Sequence, residues 1–356
     1  MSVKAASMAN LTTSVPSAVD LCRQPTQTSF IAQAFFLIFI AITTFLGNFS
    51  VCLLVFLNAN LHTLTGYLVA SLACSDLMVA TLSLPFRIHQ TLNNTSWCLS
   101  EETCLFWIWA DLFCCCASIG NVALISIDRL LATKYPLLYQ QIVTWKTSWL
   151  MLSSVWIYSL IMASSGLTNW TFPGKAALVG VDNGCYKRDP YFYTFASVVG
   201  FFIPLLVIIF SYGYIFKIAM QHFRVISQLP NVPQTDEAQQ TTYKQQLKAT
   251  KTLAIVVGAF VICWMPTFII ILVQVWCQTC LQNHPNNLEL HGLFHFLNIM
   301  FVYTLPNINS AINPVIYVVF SKDLRHTFMR TLRNLYQELY EIRARASLKL
   351  KSRQKR

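Results

Sequence analysis

The sequence predicts an all-α membrane protein, built as a seven-transmembrane helix bundle with a short amphipathic cytoplasmic helix after it. Of the 356 residues, 55% are hydrophobic and only 11% are charged, which is too apolar for a soluble domain of this size. Seven apolar runs reach the length of about 20 residues that is needed to cross a bilayer. They cover residues 30–57, 66–90, 103–133, 146–168, 191–220, 250–275 and 291–320.

The basic residues are unevenly distributed around these spans. Of the 25 lysine and arginine residues, 19 lie in or beside the connections on one side and in the tail after Tyr317. The positive-inside rule therefore predicts a multi-pass membrane protein with a cytoplasmic C-terminus and an extracellular N-terminus, and we expect it in the plasma membrane. Glycosylation sequons at Asn10, Asn94 and Asn169 lie on the predicted outer side, which agrees with this orientation.

Composition also predicts how the chain is divided. Residues 1–29 form a polar extracellular tail, residues 30–320 form the bundle, and residues 321–356 form a cytoplasmic amphipathic helix with a basic tail. The first 29 residues contain no apolar signal-peptide core, so we expect the first span to act as an uncleaved targeting signal. A basic segment beside the membrane indicates the anionic inner leaflet of the lipid bilayer as its partner, and we expect no nucleic acid.

Charged residues interrupt the apolar spans at a few places. Asp111 lies near the outer end of the third span, and Asp128 and Arg129 lie near its inner end. Asp111 and Arg129 are 18 residues apart, so they share one helical face and lie about 27 Å apart along the axis. Ser118 lies between them, and Asp76 lies within the second span. Because an ionisable residue inside a span is costly, each is a candidate functional residue.

Short motifs occur in a fixed order along the seven spans. They begin with Asn48 in the first span and end with Asn313-Pro-Val-Ile-Tyr317 in the seventh. Between these lie Leu72, Asp76, Trp97, Cys104, Ser118, Asp128, Arg129, Trp156, Pro204, Tyr212, Phe260, Cys263, Trp264, Met265 and Pro266. Together they resemble the rhodopsin-like (class A) G-protein-coupled receptors, and the resemblance covers about residues 30–328. It implies an extracellular ligand and a heterotrimeric G protein as partners, with arrestin and receptor kinases as further partners.

The resemblance implies a sodium site at the centre of the bundle. The matching residues are Asp76, Ser118, Asn309, Ser310 and Asn313. Sodium is a hard cation that prefers oxygen ligands, and it would offset the cost of burying the charge of Asp76. No other cofactor is expected.

The resemblance also implies an activation route. The residues with expected roles are Ile119, Pro204, Phe260, Asp128, Arg129, Tyr212 and Tyr317. We expect Asp128 to hold Arg129 at rest, and Trp264 to couple ligand contact to movement of the sixth span. Family members often hold the arginine with an acid at the foot of the sixth span, but Gln246 lies there in this chain. This loss of a restraint predicts basal activity.

Six cysteines lie on the predicted outer side, where disulfides form. They are Cys22, Cys98, Cys104, Cys185, Cys277 and Cys280. A bridge between Cys104 and Cys185 would pin the loop before the fifth span across the mouth of the bundle. Cys277 and Cys280 flank two residues, so we expect a small local disulfide; a metal site is the alternative, but further ligands are lacking. The other two cysteines either pair or stay free.

Asp111 is the main clue to the ligand. In the aminergic branch an aspartate at this position pairs with a cationic amine, so a small amine-like ligand is expected. The other expected ligand contacts are Leu112, Cys115, Ser197, Trp264, Phe268, Tyr303 and Asn307. Asn307 can donate a hydrogen bond to Asp111, and Tyr303 can form an aromatic wall for a cation. A peptide with a cationic side chain, or another non-amine ligand, remains the alternative.

Other classes fit the sequence less well. An opsin needs a lysine in the seventh span, and residues 290–320 contain none. An ion-coupled transporter or channel is the alternative from another class, because buried acids also line ion pathways, but the sequence has no internal repeat. An enzyme is not expected, since no nucleophile with a base, metal-ligand set or phosphate loop is recognisable.

Overall fold

The structure is a computed structural model that describes most of the bundle. Described are residues 22, 25–170, 178–179, 184–187, 189–228, 237–277, 296–320, 325–331, 333, 336–337 and 340–341. The side chains at 140, 219, 222–254, 256 and 317–320 are outside this description. Among the predicted site residues, Asn10, Cys280 and the side chain of Tyr317 therefore lie outside the described part.

Helices form seven spans within the described residues. The first four spans are Thr28–Leu57, Leu64–Leu92, Glu101–Lys134 and Trp145–Ser165. The fifth joins Pro190–Ser197, Val198–Phe202 and Ile203–Gln228, the sixth is Glu237–Trp276, and the seventh joins Asn298–Thr304 and Leu305–Phe320. Short elements connect them: a 3₁₀ turn at Ala59–Leu61, a helix at Pro136–Ile142, and an antiparallel pair of strands at Leu178–Val179 and Cys185–Tyr186. Residues 325–331 are helical where the short cytoplasmic helix is predicted.

The observed helices match the predicted fold class. In the described residues, six helices are long and apolar enough to cross a membrane. The seventh span is interrupted by prolines and asparagines, which make it less apolar, and it packs against the first and sixth spans. Three predicted limits differ clearly: the fourth helix ends at Ser165 rather than at 168, the fifth continues to Gln228 rather than ending at 220, and the sixth already begins at Glu237 rather than at 250.

The third span forms the centre of the bundle. Its most apolar window is 78% buried, compared with 50% or less for the other five candidate spans. Its start is well defined, because the Ser100 side chain accepts a hydrogen bond from the backbone N–H of Thr103. Glu101 and Glu102 in the first turn stabilise the positive end of the helix dipole. A single continuous helix therefore places Asp111, Ser118 and Arg129 on one rigid rod.

Close backbone contact holds the seventh span against the first. Asn48 is fully buried, and its amide donates to the carbonyl of Ser310 at 3.0 Å. One residue earlier, a Cβ atom on Gly47 would lie only 2.9 Å from Pro314 Cγ. The glycine is therefore needed for this approach, which fixes the seventh span and its polar residues relative to the rest of the bundle.

Three spans contain π-helical turns, and each turn ends two residues before a proline. In the described residues these turns are Val79–Ser83, Val198–Phe202 and Asn298–Thr304, followed by Pro85, Pro204 and Pro306. Proline lacks an N–H group, and its ring displaces the carbonyl of the preceding turn. A wider turn relieves that conflict within a continuous helix, as is common at functional sites.

Candidate ligand pocket and signalling core

A cavity of about 910 Å³ opens between the outer halves of the spans. Its volume lies within the range of small-molecule sites. All eight residues predicted to contact the ligand line it: Asp111, Leu112, Cys115, Ser197, Trp264, Phe268, Tyr303 and Asn307. The structure therefore brings together side chains from the third, fifth, sixth and seventh spans, although they are up to 196 positions apart in the sequence.

Asp111 lies partly buried in the wall of this cavity. Its Oδ1 atom accepts a hydrogen bond from Ser83 Oγ at 2.5 Å, and Ser83 is itself buried. The Asn307 amide donates to the carbonyl of Tyr303 at 2.8 Å, and the expected bond to Asp111 is not found among the described residues. The carboxylate thus keeps acceptor capacity for a cationic donor in the cavity.

The sequence prediction missed one charged residue of the pocket, Arg87. Its guanidinium carbon lies 4.5 Å from the ring centroids of both Trp107 and Tyr303. The Tyr303 ring, predicted as a wall for a ligand cation, therefore already contacts a cation of the protein. Arg87 is one of the six basic residues outside the predicted inner connections and tail, and its place within the span 66–90 is a signal for a functional site, because an ionisable residue inside an apolar span is costly.

The loop before the fifth span covers one side of the cavity. The disulfide between Cys104 and Cys185 ties this loop to the outer end of the third span. Lys187 is 3% exposed and donates to the backbone carbonyls of Gly166 and Thr168. Burial lowers the pKa of Lys187, while the neighbouring Asp189 raises it. These contacts use Lys187 to hold the loop in place.

The residues of the predicted sodium site are buried, and several of their oxygen atoms are unpaired within the described part of the chain. Asn313 Nδ2 donates to Asp76 Oδ2 at 2.9 Å, and Asp76 is fully buried. Three further oxygens are buried without a hydrogen-bond partner among the described residues: Asp76 Oδ1, Ser118 Oγ and Asn309 Oδ1. Ser310 is also buried here, and it lines the lower part of the ligand cavity. Unpaired buried oxygens are what a hard cation requires, so these residues fit sodium.

An aromatic column leads from the ligand cavity into the core. Phe268 stacks on Phe201 with ring centroids 4.3 Å apart, and Trp264 lies between Phe268 and Phe260 at 5.9 and 6.2 Å. Phe260 and Ile119 are 1% and 0% exposed and belong to the same apolar cluster. Pro204, the third residue predicted to repack, follows the π-helical turn of the fifth span and is partly buried.

Asp128 and Arg129 form an ion pair near the inner end of the third span. Arg129 Nη2 lies 2.5 Å from Asp128 Oδ2, whose side chain is completely buried. Two neighbours missed by the sequence prediction also bind the carboxylate: Thr65 Oγ1 at 2.8 Å and Tyr139 Oη at 2.5 Å. Burial and the charge of Asp128 raise the pKa of Tyr139, so its hydroxyl stays protonated and donates. Tyr212, the predicted active-form partner of Arg129, packs against the apolar cluster.

A disulfide and the side chain of Asn94 hold the N-terminal segment against the bundle. Cys22 and Cys98, left open by the sequence, form a disulfide. The side chain of Asn94 accepts from the backbone N–H of Gln27 at 2.9 Å and donates to the carbonyl of Pro25 at 3.2 Å. Asn169 is exposed. Cys277 is disulfide-bonded, whereas Cys280 lies outside the described residues.

Comparison with known proteins identifies the family. Residues 47–317 match the 7 transmembrane receptor (rhodopsin family). The chain belongs to this family. The resemblance inferred from the motifs is therefore confirmed, and the family is one of receptors. The match begins at Gly47 in the inner half of the first span and ends at Tyr317, so it includes part of the first span and reaches the seventh.

Individual relatives are aminergic and other receptors. The chain is 28% identical to the human alpha-1A adrenergic receptor over 319 residues, covering 81% of this chain and 65% of the relative. It is 30% identical to 5-hydroxytryptamine receptor 1B of Spalax ehrenbergi, covering 83% of this chain and 85% of the relative. It is 26% identical to a probable G-protein coupled receptor, No18, of Amphibalanus amphitrite, covering 85% and 90%. The chain thus spans about two thirds of the length of the adrenergic receptors it matches.

Proposed function

We propose that the protein is a G-protein-coupled receptor of the plasma membrane that senses a small extracellular ligand carrying a cationic amine. The observation that carries this proposal is the position of Asp111, a carboxylate in the wall of the outer cavity whose described partner is the neutral hydroxyl of Ser83. Desolvation inside a narrow pocket strengthens a charge-assisted contact with an amine. Relatives named for adrenergic and 5-hydroxytryptamine ligands support this ligand chemistry.

In this proposal the ligand acts by stabilising one of two forms of the bundle. Its contacts with Trp264 and Phe268 reach the aromatic column that ends at Phe260. A ligand can shift the equilibrium only by binding one form more tightly than the other. Movement of the sixth span would then release Arg129 from Asp128 and expose it to a heterotrimeric G protein on the cytoplasmic side. Arrestin and receptor kinases are the further partners that this form would bind.

Sodium has a regulatory role in the proposal. Asp76, Ser118, Asn309, Ser310 and Asn313 would hold the ion below the ligand cavity, and the ion would neutralise the buried carboxylate. Because these residues come from the second, third and seventh spans, a bound cation would hold the spans in the resting arrangement. The unpaired oxygens of three of these residues support this role.

The direct test is the Asp111→Asn variant. Cells that express the wild type or the variant are exposed to a panel of biogenic amines and cationic peptides, with cyclic-nucleotide and calcium readouts. We expect an amine to activate the wild type and the variant to lose at least about tenfold in potency, because a charge-assisted hydrogen bond contributes about 1.5–3 kcal/mol. The matched control is Glu101→Gln, an acid in the first turn of the same helix. Unchanged potency in Asp111→Asn at equal surface expression would refute amine recognition.

A further inference from the structure

We infer that the pocket recognises a zwitterion, with the amine of the ligand on Asp111 and a carboxylate of the same ligand on Arg87. The ligand class is an amino acid or a close amino-acid derivative rather than a simple amine. This inference rests on the proposed function, because it keeps Asp111 as the amine site. It adds the second charged contact and thereby the chemical class of the ligand.

Arg87 and Asp111 lie in the same cavity on adjacent helical levels. Both line the cavity, and Ser83, which bonds Asp111, precedes Arg87 by four residues on the second span. On the third span, Trp107 precedes Asp111 by the same interval and contacts the guanidinium. Four residues correspond to a rise of about 6 Å in a helix. Arg87 therefore lies about one helical turn closer to the extracellular side than Asp111.

None of the described residues forms an ion pair with Arg87. The ion pair found among them joins Arg129 to Asp128, and the hydrogen bond that Arg87 makes within this part of the chain is to the neutral Gln90 Oε1 at 3.2 Å. Trp107 and Tyr303 contribute cation–π contacts, which stabilise the charge without using the N–H groups. A guanidinium has five N–H donors in a planar fork that matches a carboxylate. Donors thus remain for an anionic partner inside the cavity.

Charge balance favours a ligand without net charge. Asp111 and Arg87 give this level of the pocket one negative and one positive charge, and Lys187 and Asp189 are engaged in holding the outer loop. A simple amine would place a second cation near Arg87, which is unfavourable in a desolvated site. A zwitterion can bridge Asp111 and Arg87, which lie about one helical turn apart. Its amine would contact Asp111 and its carboxylate would contact Arg87, each at about 2.8 Å.

The test compares three matched forms of each ligand on wild-type cells in amino-acid-free buffer. The probes are each aromatic and aliphatic amino acid, its methyl ester and its decarboxylated amine, with G-protein activation as the readout. The ester and the amine keep the cationic group and the side chain but lack the free carboxylate. We expect at least one amino acid to be more potent than both counterparts by about 10- to 100-fold, the effect of one charge-assisted contact. Equal or greater potency of the amines, or no response to any amino acid, would overturn the inference.

Variants at position 87 assign the effect to the side chain. Arg87→Gln should remove the advantage of the amino acid while leaving the potency of the ester and the amine unchanged or increased. Arg87→Lys keeps the charge but lacks the fork, so it should retain part of the advantage. An advantage that persists in Arg87→Gln at normal surface expression would contradict the inference. If a variant does not reach the surface, the comparison of probes on the wild type still decides.

The same data separate this inference from the proposed function. If amines activate the receptor at least as potently as the matching amino acids and Asp111→Asn abolishes their effect, amine recognition holds and the zwitterion inference fails. If an amino acid activates the receptor independently of Asp111 but depends on Arg87, the carboxylate contact holds and amine recognition fails.

Discussion

Removing the hydroxyl group of Tyr139, in the cytoplasmic connection between the third and fourth spans, should raise the basal activity of the receptor. Tyr139 lies on the short helix Pro136–Ile142 and donates to Asp128 Oδ1 at 2.5 Å. Asp128 in turn holds Arg129 by two contacts, at 2.5 and 3.0 Å. Tyr139→Phe keeps the ring but leaves a buried carboxylate oxygen without this donor. A hydrogen bond to a charged group contributes about 1.5–3 kcal/mol, so the resting form should lose stability on this scale.

The size of the effect follows from two-state populations. If about 1% of the receptor is active at rest, a loss of about 1.4 kcal/mol from the resting form raises this to about 10%. The measurement is agonist-independent binding of a non-hydrolysable GTP analogue in membranes with matched receptor levels and a panel of G proteins. Tyr135→Phe is the control, because Tyr135 is 40% exposed and lies four residues earlier. Equal basal exchange in Tyr139→Phe and the wild type would refute the idea that this bond restrains Arg129.

Three further predictions concern the rest of the bundle. Asp76→Asn should abolish the dependence of agonist affinity on sodium, measured by competition binding in sodium and in a large organic cation; an unaltered sodium response would count against the site. Gly47→Ala should destabilise the solubilised receptor by about 1–3 kcal/mol and lower its melting temperature through overpacking against Pro314, whereas Gly213→Ala, whose added Cβ meets no packed neighbour within 4 Å, should not. Cys104→Ser should reduce surface expression through loss of its disulfide, while Cys74→Ser, a free cysteine, should not; normal expression of Cys104→Ser would show that the bridge to Cys185 is dispensable.

The fold could be predicted because each span is recognisable from its own sequence, without knowing which other spans it contacts. Apolar runs of about 20 residues are dictated by the thickness of the bilayer, and motifs such as Asp128-Arg129 mark positions along them. The sequence also located two residues of the ligand cavity, Asp111 and Trp264, because each keeps its place along one helix. Helical periodicity within a single span was therefore enough to predict these two residues of the site.

The missed residues are those whose role depends on contacts between spans. Thr65 and Tyr139 are ordinary residues in the sequence, and only the packing of the second span and the inner helix on the third brings them to Asp128. Arg87 was missed for a related reason: the π-helical turn Val79–Ser83 changes the phase of the second span before this residue. A regular helix counted from Asp76 does not place Arg87 correctly, so its contact with Tyr303 could not be predicted.

The π-helical turns also have a consequence for how related receptors diverge. One residue fewer between Val79 and Ser83 would restore a regular helix and rotate everything outward of it by about 100°. Arg87 would then leave the cavity wall, and a neighbour in the chain would take its place without any substitution in the pocket itself. Single-residue insertions and deletions before Pro85, Pro204 and Pro306 can thus exchange several residues of the cavity wall at once. Related receptors can change their ligand specificity in this way, and a comparison that counts only substitutions would not detect it.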